Sequence, residues 1–120
     1  MNIKQASEQS GVSAPNIRFY EKEGLLTPAR RQGNDYRDYT AGDVRTLKLI
    51  RMLRMLDVPL PTIKAVLRGE QPLQQALQAQ QTVLEQQAAQ LAGAIRFCAE
   101  LTQQAPQAVS YTHLRAHETA

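Results

Sequence analysis

Apolar residues recur at helical spacing through the first part of the chain, and glycine or polar breaks divide the pattern into short segments. The segment from Ile3 to Ser10 has apolar and small residues on one side and meets a natural C-terminal stop at Gly11. Ser13 is a typical N-cap, and a second helical segment follows it to Lys22. Because only a Gly-Val turn joins the two segments, the pattern predicts a helix-turn-helix motif.

The helical spacing is interrupted after these two segments. Thr27-Pro28 breaks the period, and Gly33-Asn34 can adopt positive φ angles in a tight turn. The sequence therefore predicts a small two-stranded hairpin between Ala29 and Tyr39.

Two further helices are predicted before the composition of the chain changes. Thr40 and Asp43 have the spacing of a capping box, which predicts a helix from this point to about Leu56. One face of that helix is apolar and is expected to be buried; it carries Val44, Leu47, Ile50, Leu53 and Met55. Prolines then end the helix, and a short fourth helix is predicted from Thr62 to Leu67.

From Leu73 onward the chain is rich in Gln and Ala, and its apolar residues recur in heptads. A single amphipathic helix of this length needs packing for its apolar face. We expect that face to pack against the same helix of a second subunit; the alternative is that it folds back on the N-terminal helices. The expected dimer contacts are Leu77, Leu84, Ala88, Leu91, Ile95 and Cys98.

Composition and charge narrow the class of protein. Aromatic residues make up 5% of the 120 residues and Trp is absent, which favours an all-α fold with little sheet. The formal net charge of +3 is unevenly placed: residues 1–72 carry twelve Lys and Arg against eight Asp and Glu, and residues 73–120 carry two against three. The first part is therefore the candidate for contact with nucleic acid.

The residues that most enzymes use are lacking. The two histidines, His113 and His117, both lie near the C-terminus, and Cys98 is the only cysteine. Both histidines lie in the segment that we set aside below as non-native, and without them no catalytic triad, Cys/His dyad or His-based zinc site can be assembled. No Gly-rich phosphate loop is present either, so we expect neither an enzyme nor a bound cofactor or metal. One cysteine, no signal-like apolar segment and no membrane-length apolar run predict a cytoplasmic protein with no membrane partner.

The C-terminal segment from Val109 to Ala120 departs from the Gln/Ala register. A back-translation of its VSYTHL stretch resembles a transposase-end sequencing adapter. We therefore expect this segment to be non-native and the native C-terminus to be missing, and we leave it out of the functional reasoning.

The stretch RRQGNDYRDY, residues 30–39, combines arginines with tyrosines around the predicted hairpin turn. Arginine forks and phenolic hydroxyls are good donors to phosphate oxygens, so Arg30, Arg31 and Arg37 are candidates for the DNA backbone. The alternative is that Tyr36 or Tyr39 packs against the Leu-Leu segment that precedes the hairpin, and that the arginines are only solvated.

The first 70 residues closely resemble the MerR family of bacterial transcription regulators, most specifically in GVS, IRFYEKEGLL, YRDY and IKAVL. The resemblance implies a winged helix-turn-helix, an all-α fold with a small β wing, followed by an antiparallel dimerisation helix. By position it implies base or backbone contacts at Asn16, Arg18 and Tyr20 of the recognition helix, and backbone contacts at Arg31, Tyr36 and Arg37 of the wing. Helical spacing independently places Ala14, Arg18 and Lys22 on one face and turns Ile17 toward the core. The alternative for Arg18 is a surface salt bridge with Glu21.

The resemblance further implies a homodimer that binds a pseudo-palindromic element in double-stranded promoter DNA, works with RNA polymerase and distorts the DNA by bending and untwisting it.

The expected domains are residues 1–70 for DNA binding, 71–108 for dimerisation and 109–120 as the tail. The chain departs from the family where Asp57-Val58-Pro59 replaces the usual Gly-Phe-Ser. Two rivals remain: an excisionase-like or architectural DNA-binding protein, and a coiled-coil interaction module.

Overall fold

A computed structural model describes residues 1–30 and 37–104, without the side chains of residues 29 and 30. The helices and strands follow one another in the order α1 (Ile3–Ser10), α2 (Ala14–Lys22), β1 (Ala29–Arg30), β2 (Arg37–Asp38), α3 (Ala41–Met55), α4 (Leu60–Leu67) and α5 (Leu73–Gln104). The described part of the chain is thus helical apart from one short hairpin, as the composition predicts.

The turn between α1 and α2 is built from the predicted stop and cap. Gly11 has φ 77°, a left-handed conformation that costs glycine little, and its N–H donates to the Ser7 carbonyl at 2.9 Å. Ser13 then accepts a hydrogen bond from the Asn16 N–H on its hydroxyl oxygen. Both ends of the turn are therefore fixed by local chemistry, which brings α2 into contact with α1.

The predicted hairpin forms between β1 and β2, which pair antiparallel with Ala29 opposite Asp38 and Arg30 opposite Arg37. Its predicted Gly-Asn turn lies outside the described residues. The amino group of Met1 donates to the Asp38 carboxylate and to the Tyr39 carbonyl, each at 2.8 Å. The Tyr39 N–H donates back to the Met1 carbonyl, so three hydrogen bonds join the start of the chain to the end of β2.

Helix α3 begins with the predicted capping box. The Thr40 hydroxyl accepts from the Asp43 N–H at 3.1 Å, and the Asp43 carboxylate accepts from the Thr40 N–H at 2.9 Å. Four of the five residues expected on its apolar face are buried, namely Val44, Leu47, Ile50 and Leu53. The prediction for Met55 is wrong: its side chain is 70% exposed, because two residues beyond Leu53 the helix has turned about 200° away from the core.

The two prolines after α3 lie at the start of α4, whereas α3 itself ends at Met55, with Leu56 as its C-cap residue. Pro59 is the N-cap residue of α4 and Pro61 lies in its first turn, so this helix starts at Leu60, two residues earlier than predicted. A proline is tolerated there because the first N–H groups of a helix have no partner within it. Asp57, at the position where the family usually has Gly, adopts φ 62°, so the left-handed stop is retained by an aspartate.

One hydrophobic core joins α1 to α4 and the segments between them. Its buried residues are Ala6, Val12, Ile17, Tyr20, Leu25, Leu26, Tyr39, Leu47, Ile50, Leu53, Val58 and Ile63. The first two turns of α5 contribute to the same core, since Ala76 and Gln80 are buried and Leu77 packs against it. The Gln80 amide donates to the Leu56 carbonyl at 2.8 Å.

The compact first unit consequently spans Met1–Gln80, ten residues beyond the expected end of the DNA-binding domain. Leu77 was expected to contact a second subunit, but its side chain lies against the core of its own chain. For the first turns of α5 the alternative reading, packing against the N-terminal helices, is therefore the one observed.

The second unit begins at Gln81, and its described part is the remainder of α5. Its large apolar side chains are exposed within the single chain; they are Val83, Leu84, Leu91, Ile95, Phe97 and Leu101. Cys98 is exposed as well. None of the helices in the described part of the chain is long and apolar enough to span a bilayer.

Candidate DNA-binding surface

Helix α2 has one buried face and one polar face. Ile17 is fully buried, as helical spacing predicts, whereas Asn16, Arg18 and Lys22 are exposed and Ala14 is half-buried. The helix therefore presents an amide and two cations to solvent. These groups are donors to base edges and phosphates.

Tyr20 does not share the exposed position that was expected of a DNA contact. Its side chain is only 8% exposed and belongs to the core, because three residues after Ile17 it falls on the buried face of α2. Its ring lies 5.7 Å from that of Phe19, measured between centroids, at an interplanar angle of 58°. We correct the assignment of Tyr20 from DNA contact to core residue.

The start of α2 borders an open groove of about 520 Å³ that the sequence did not reveal. Helix α3 contributes Arg51, Arg54 and Met55 to the opposite wall. Phe19, 43% exposed, also lines the groove together with Asn16. Nothing in the spacing of these two arginines along the sequence indicated that they lie next to α2.

A single carboxylate on α2, that of Glu21, contacts two side chains at the end of the hairpin. Glu21 forms a salt bridge with the Arg37 guanidinium and accepts a hydrogen bond from the Tyr39 hydroxyl. Arg37 remains 41% exposed, whereas the Glu21 side chain is 8% exposed. Arg37 is thus both an available cation, as expected of a wing contact, and part of the internal structure.

The Tyr39 side chain lies in the core at 2% exposure, which is the packing alternative raised for the tyrosines of the hairpin. Burial, with the hydrogen bond to Glu21, raises the pKa of the Tyr39 phenol well above its usual value of 10.0. The phenol therefore stays a hydrogen-bond donor at any physiological pH. Arg31 and Tyr36, also expected in the wing, lie outside the described residues, as does the side chain of Arg30.

The alternative reading of Arg18, a salt bridge with Glu21, is not observed among the described residues. The ion pair of Glu21 there is with Arg37. Arg18 keeps an exposed side chain on the polar face of α2.

In the part of the chain that the structure describes, no three His, Cys, Asp or Glu side chains lie close enough together to hold a metal ion. Within the same residues, every buried side-chain nitrogen and oxygen has a hydrogen-bond partner. The candidate functional surface is therefore the polar face of α2 together with the neighbouring hairpin.

The sequence of the chain is similar to those of known transcription regulators. The chain is 48% identical over 67 residues to the HTH-type transcriptional regulator HmrR of Sinorhizobium medicae (strain WSM419), an alignment that covers 56% of this chain and 46% of the relative. The chain thus spans about half the length of the curated relatives it matches.

Two solved structures are similar over most of the chain. One is the N-terminal part of MtaN, the Bacillus subtilis multidrug transporter activator, with 27% identity, a TM-score of 0.75 and coverage of 85% of this chain and 97% of that one. The other is HiNmlR, a MerR family regulator lacking the sensor domain, bound to promoter DNA; it has 27% identity, a TM-score of 0.58 and coverage of 82% and 78%.

The chain also matches the sequence pattern of a whole protein family. The pattern of the MerR HTH family of regulatory proteins matches residues 1–70, which contain both helices of the helix-turn-helix, the hairpin, α3 and α4. On this match, and on the fold that carries it, the chain belongs to the MerR family of helix-turn-helix regulatory proteins.

Proposed function

We propose that the chain binds a pseudo-palindromic promoter element as a homodimer and regulates transcription by distorting the DNA. The observation that carries the proposal is the exposed face of α2, with Asn16, Arg18 and Lys22, beside a hairpin that bears Arg37. The solved complex of HiNmlR with promoter DNA supports it, since that regulator has a similar fold.

In this proposal α2 enters the major groove and reads base edges. A guanidinium such as that of Arg18 can donate two hydrogen bonds to guanine, and an amide such as that of Asn16 can pair with adenine. Lys22 and the half-buried Ala14 lie on the same face as Arg18 and complete the contact surface. Arg18 is the residue to which we assign base discrimination.

The hairpin acts as a wing on the sugar-phosphate backbone. We assign backbone contacts to Arg30, Arg31, Tyr36 and Arg37, whose guanidinium and hydroxyl groups suit phosphate oxygens. These contacts would set the position of α2 on the duplex without carrying sequence information themselves.

The part of α5 beyond Gln80 supplies the dimer contacts. Leu84, Ala88, Leu91, Ile95 and Cys98 follow heptad spacing, and the large apolar members of this set are exposed in the single chain. Pairing of two copies would remove these side chains from water, which is favourable by about 25 cal/mol per Å² of apolar surface. Leu77, whose half-buried side chain packs against the core of its own chain, is left out of the proposed seam.

Two copies related by a two-fold axis match a palindromic site, and each copy reads one half of it. Control of transcription then requires that the bound dimer bend and untwist the DNA between the half-sites for RNA polymerase, a form of recognition through DNA shape. We place the protein in the cytoplasm, with its DNA target.

The proposal is tested by selecting bound sequences from a random duplex library with the purified protein and footprinting the selected site. We expect a site with two-fold symmetry, protected on both halves, and a dimer by sedimentation. Arg68→Ala, which removes an exposed cation from the end of α4, serves as a control beside Arg18→Ala. Enrichment of no symmetric site, or binding in which both variants behave alike, would contradict the proposal.

A further inference from the structure

Glu21 is an acidic residue on a helix that is proposed to face a polyanion. It lies on α2, one turn from the exposed Arg18, yet its side chain is 8% exposed and turns toward the hairpin. A carboxylate directed at DNA would weaken binding by repulsion. The burial of Glu21 indicates that this carboxylate serves another purpose.

Both partners of the Glu21 carboxylate come from the end of the hairpin. The Arg37 guanidinium on β2 forms a salt bridge with it, and the Tyr39 hydroxyl donates a hydrogen bond to it. The Tyr39 ring is itself fixed in the core at 2% exposure. One side chain of α2 is therefore joined to two side chains at the end of the hairpin.

A buried carboxylate is costly to leave without partners, because its loss of hydration must be offset by charge pairing and hydrogen bonds. Here both compensating groups lie sixteen and eighteen residues further along the chain. Movement of the hairpin away from α2 would expose or orphan the charge. The arrangement therefore resists changes in the angle between the hairpin and α2.

We propose that Glu21 is a positioning residue that locks the wing to the recognition helix and orients Arg37 for the phosphate backbone. The inference rests on the proposed DNA-binding function and deepens it. It assigns no DNA contact to Glu21 itself.

The proposal makes a prediction opposite to that of simple electrostatics. Removing a negative charge near a DNA-binding face should strengthen sequence-independent attraction. Removing the contacts of Glu21 with Arg37 and Tyr39 should instead weaken binding to the operator, because the orientation of the wing relative to α2 is no longer fixed. The two effects are separated by measuring specific and non-specific binding in parallel.

The experiment uses the full chain, with the operator taken from the selected sites and a random duplex of the same length, over a salt series. We expect Glu21→Ala to lower operator affinity by about tenfold or more, while affinity for the random duplex is unchanged or higher. Glu23→Gln is the matched control, since Glu23 is exposed at the end of α2; it should change both affinities alike.

Two conservative variants keep the test decisive if Glu21→Ala fails to fold. Glu21→Gln keeps the size of the side chain and can still accept from the Tyr39 hydroxyl, so we expect an intermediate loss. Tyr39→Phe keeps the ring in the core and removes only the hydroxyl, and should also lower operator affinity selectively. Thermal unfolding measured beside each titration shows that the compared proteins are folded.

A double-mutant cycle identifies the partner. If Glu21 acts through Arg37, Glu21→Gln combined with Arg37→Ala should lose no more operator affinity than Arg37→Ala alone. Additive losses, or a Glu21→Ala protein that gains affinity for both duplexes as Glu23→Gln does, would overturn the inference. Failure of the unmodified protein to distinguish operator from random duplex would instead overturn the proposed function.

Discussion

The charged side chains of α2 differ in burial, and this difference separates their roles. Arg18 and Lys22 are exposed, whereas Glu21, between them in sequence, is nearly buried and paired with Arg37. An exposed cation can contact DNA and a buried carboxylate cannot. We therefore assign Arg18 and Lys22 to DNA recognition and Glu21 to positioning the hairpin.

Arg18→Ala should weaken operator binding more than non-specific binding. A lost contact to a base edge removes about 1–3 kcal/mol of discrimination, whereas a lost phosphate contact lowers affinity for all sequences and reduces the salt slope by about one unit. Arg31→Ala, in the proposed wing, is the comparison. Titration of both variants against operator and random duplex tests the assignment, and equal losses on the two duplexes would remove Arg18 from base reading.

Gly11→Ala should destabilise the first unit by about 1–2 kcal/mol, the usual cost of a left-handed alanine, because the neighbouring Arg51 side chain is exposed and can shift. The added Cβ would lie 3.3 Å from the Cζ atom of Arg51, a tight approach, in addition to the positive φ. Gly69→Ala is a matched control, since Gly69 has φ 75° with nothing within 4 Å of the added Cβ. Urea unfolding gives both free energies; we expect similar losses, and a clearly larger loss for Gly11→Ala would show that Arg51 cannot move aside.

At the scale of elements, the N-termini of α1, α2 and α3 are set by capping residues. Ser13 caps α2, and Thr40 with Asp43 caps α3, in each case through a side chain that satisfies an otherwise unpaired N–H. Asn2 and Gln5 form a further capping box at the start of α1, which the sequence analysis did not identify. Each of these caps joins residues only three apart in the sequence, so the start of each helix can be predicted from a few residues.

Thr40→Ala should lower the free energy of unfolding by about 1 kcal/mol, because the Asp43 N–H loses its acceptor. Thr46→Ala is the internal control in the same helix. The Thr46 hydroxyl donates to the Gly42 carbonyl, a bond within the helix that contributes little to its stability, so we expect a much smaller change. Urea unfolding compares the two, and an equal cost would show that the capping box does not stabilise α3.

At the scale of the whole molecule, α5 changes its surroundings along its length. Its first turns pack one side, with the buried Ala76 and Gln80, against the first unit, while the large apolar side chains beyond Gln80 are exposed within one chain. A heptad stripe left in water indicates a partner, and we propose that this partner is a second copy of the chain.

Leu91→Glu should abolish dimerisation and operator binding while the first unit stays folded. The substitution places like charges in an apolar seam, and a monomer contacts only one half-site. Gln90→Glu adds the same charge at the adjacent exposed position and should have little effect. Sedimentation, circular dichroism and operator titration measure the three properties, and a Leu91→Glu protein that remains dimeric would show that the seam lies elsewhere.

Much of the fold could be predicted from the sequence, because its signals act over a few residues. The glycine stop at Gly11, the caps at Ser13 and Thr40 and the apolar period of α3 each lie within one or two turns of the backbone they control. The exposed positions of Arg18 and Lys22 follow from the helical period of α2. The family motifs predicted the order of the elements and the class of function.

The remaining features depend on contacts between distant parts of the chain. Tyr20 and Tyr39 lie in the core, and Glu21 pairs with Arg37 instead of Arg18, because packing decides which partners meet. The first turns of α5 likewise join the core despite a heptad pattern that is continuous with the exposed part. The spacing of polar and apolar residues in the sequence determines which residues share one face of a helix. Only the tertiary structure decides which residues that face contacts, because burial depends on how the helices and strands pack together.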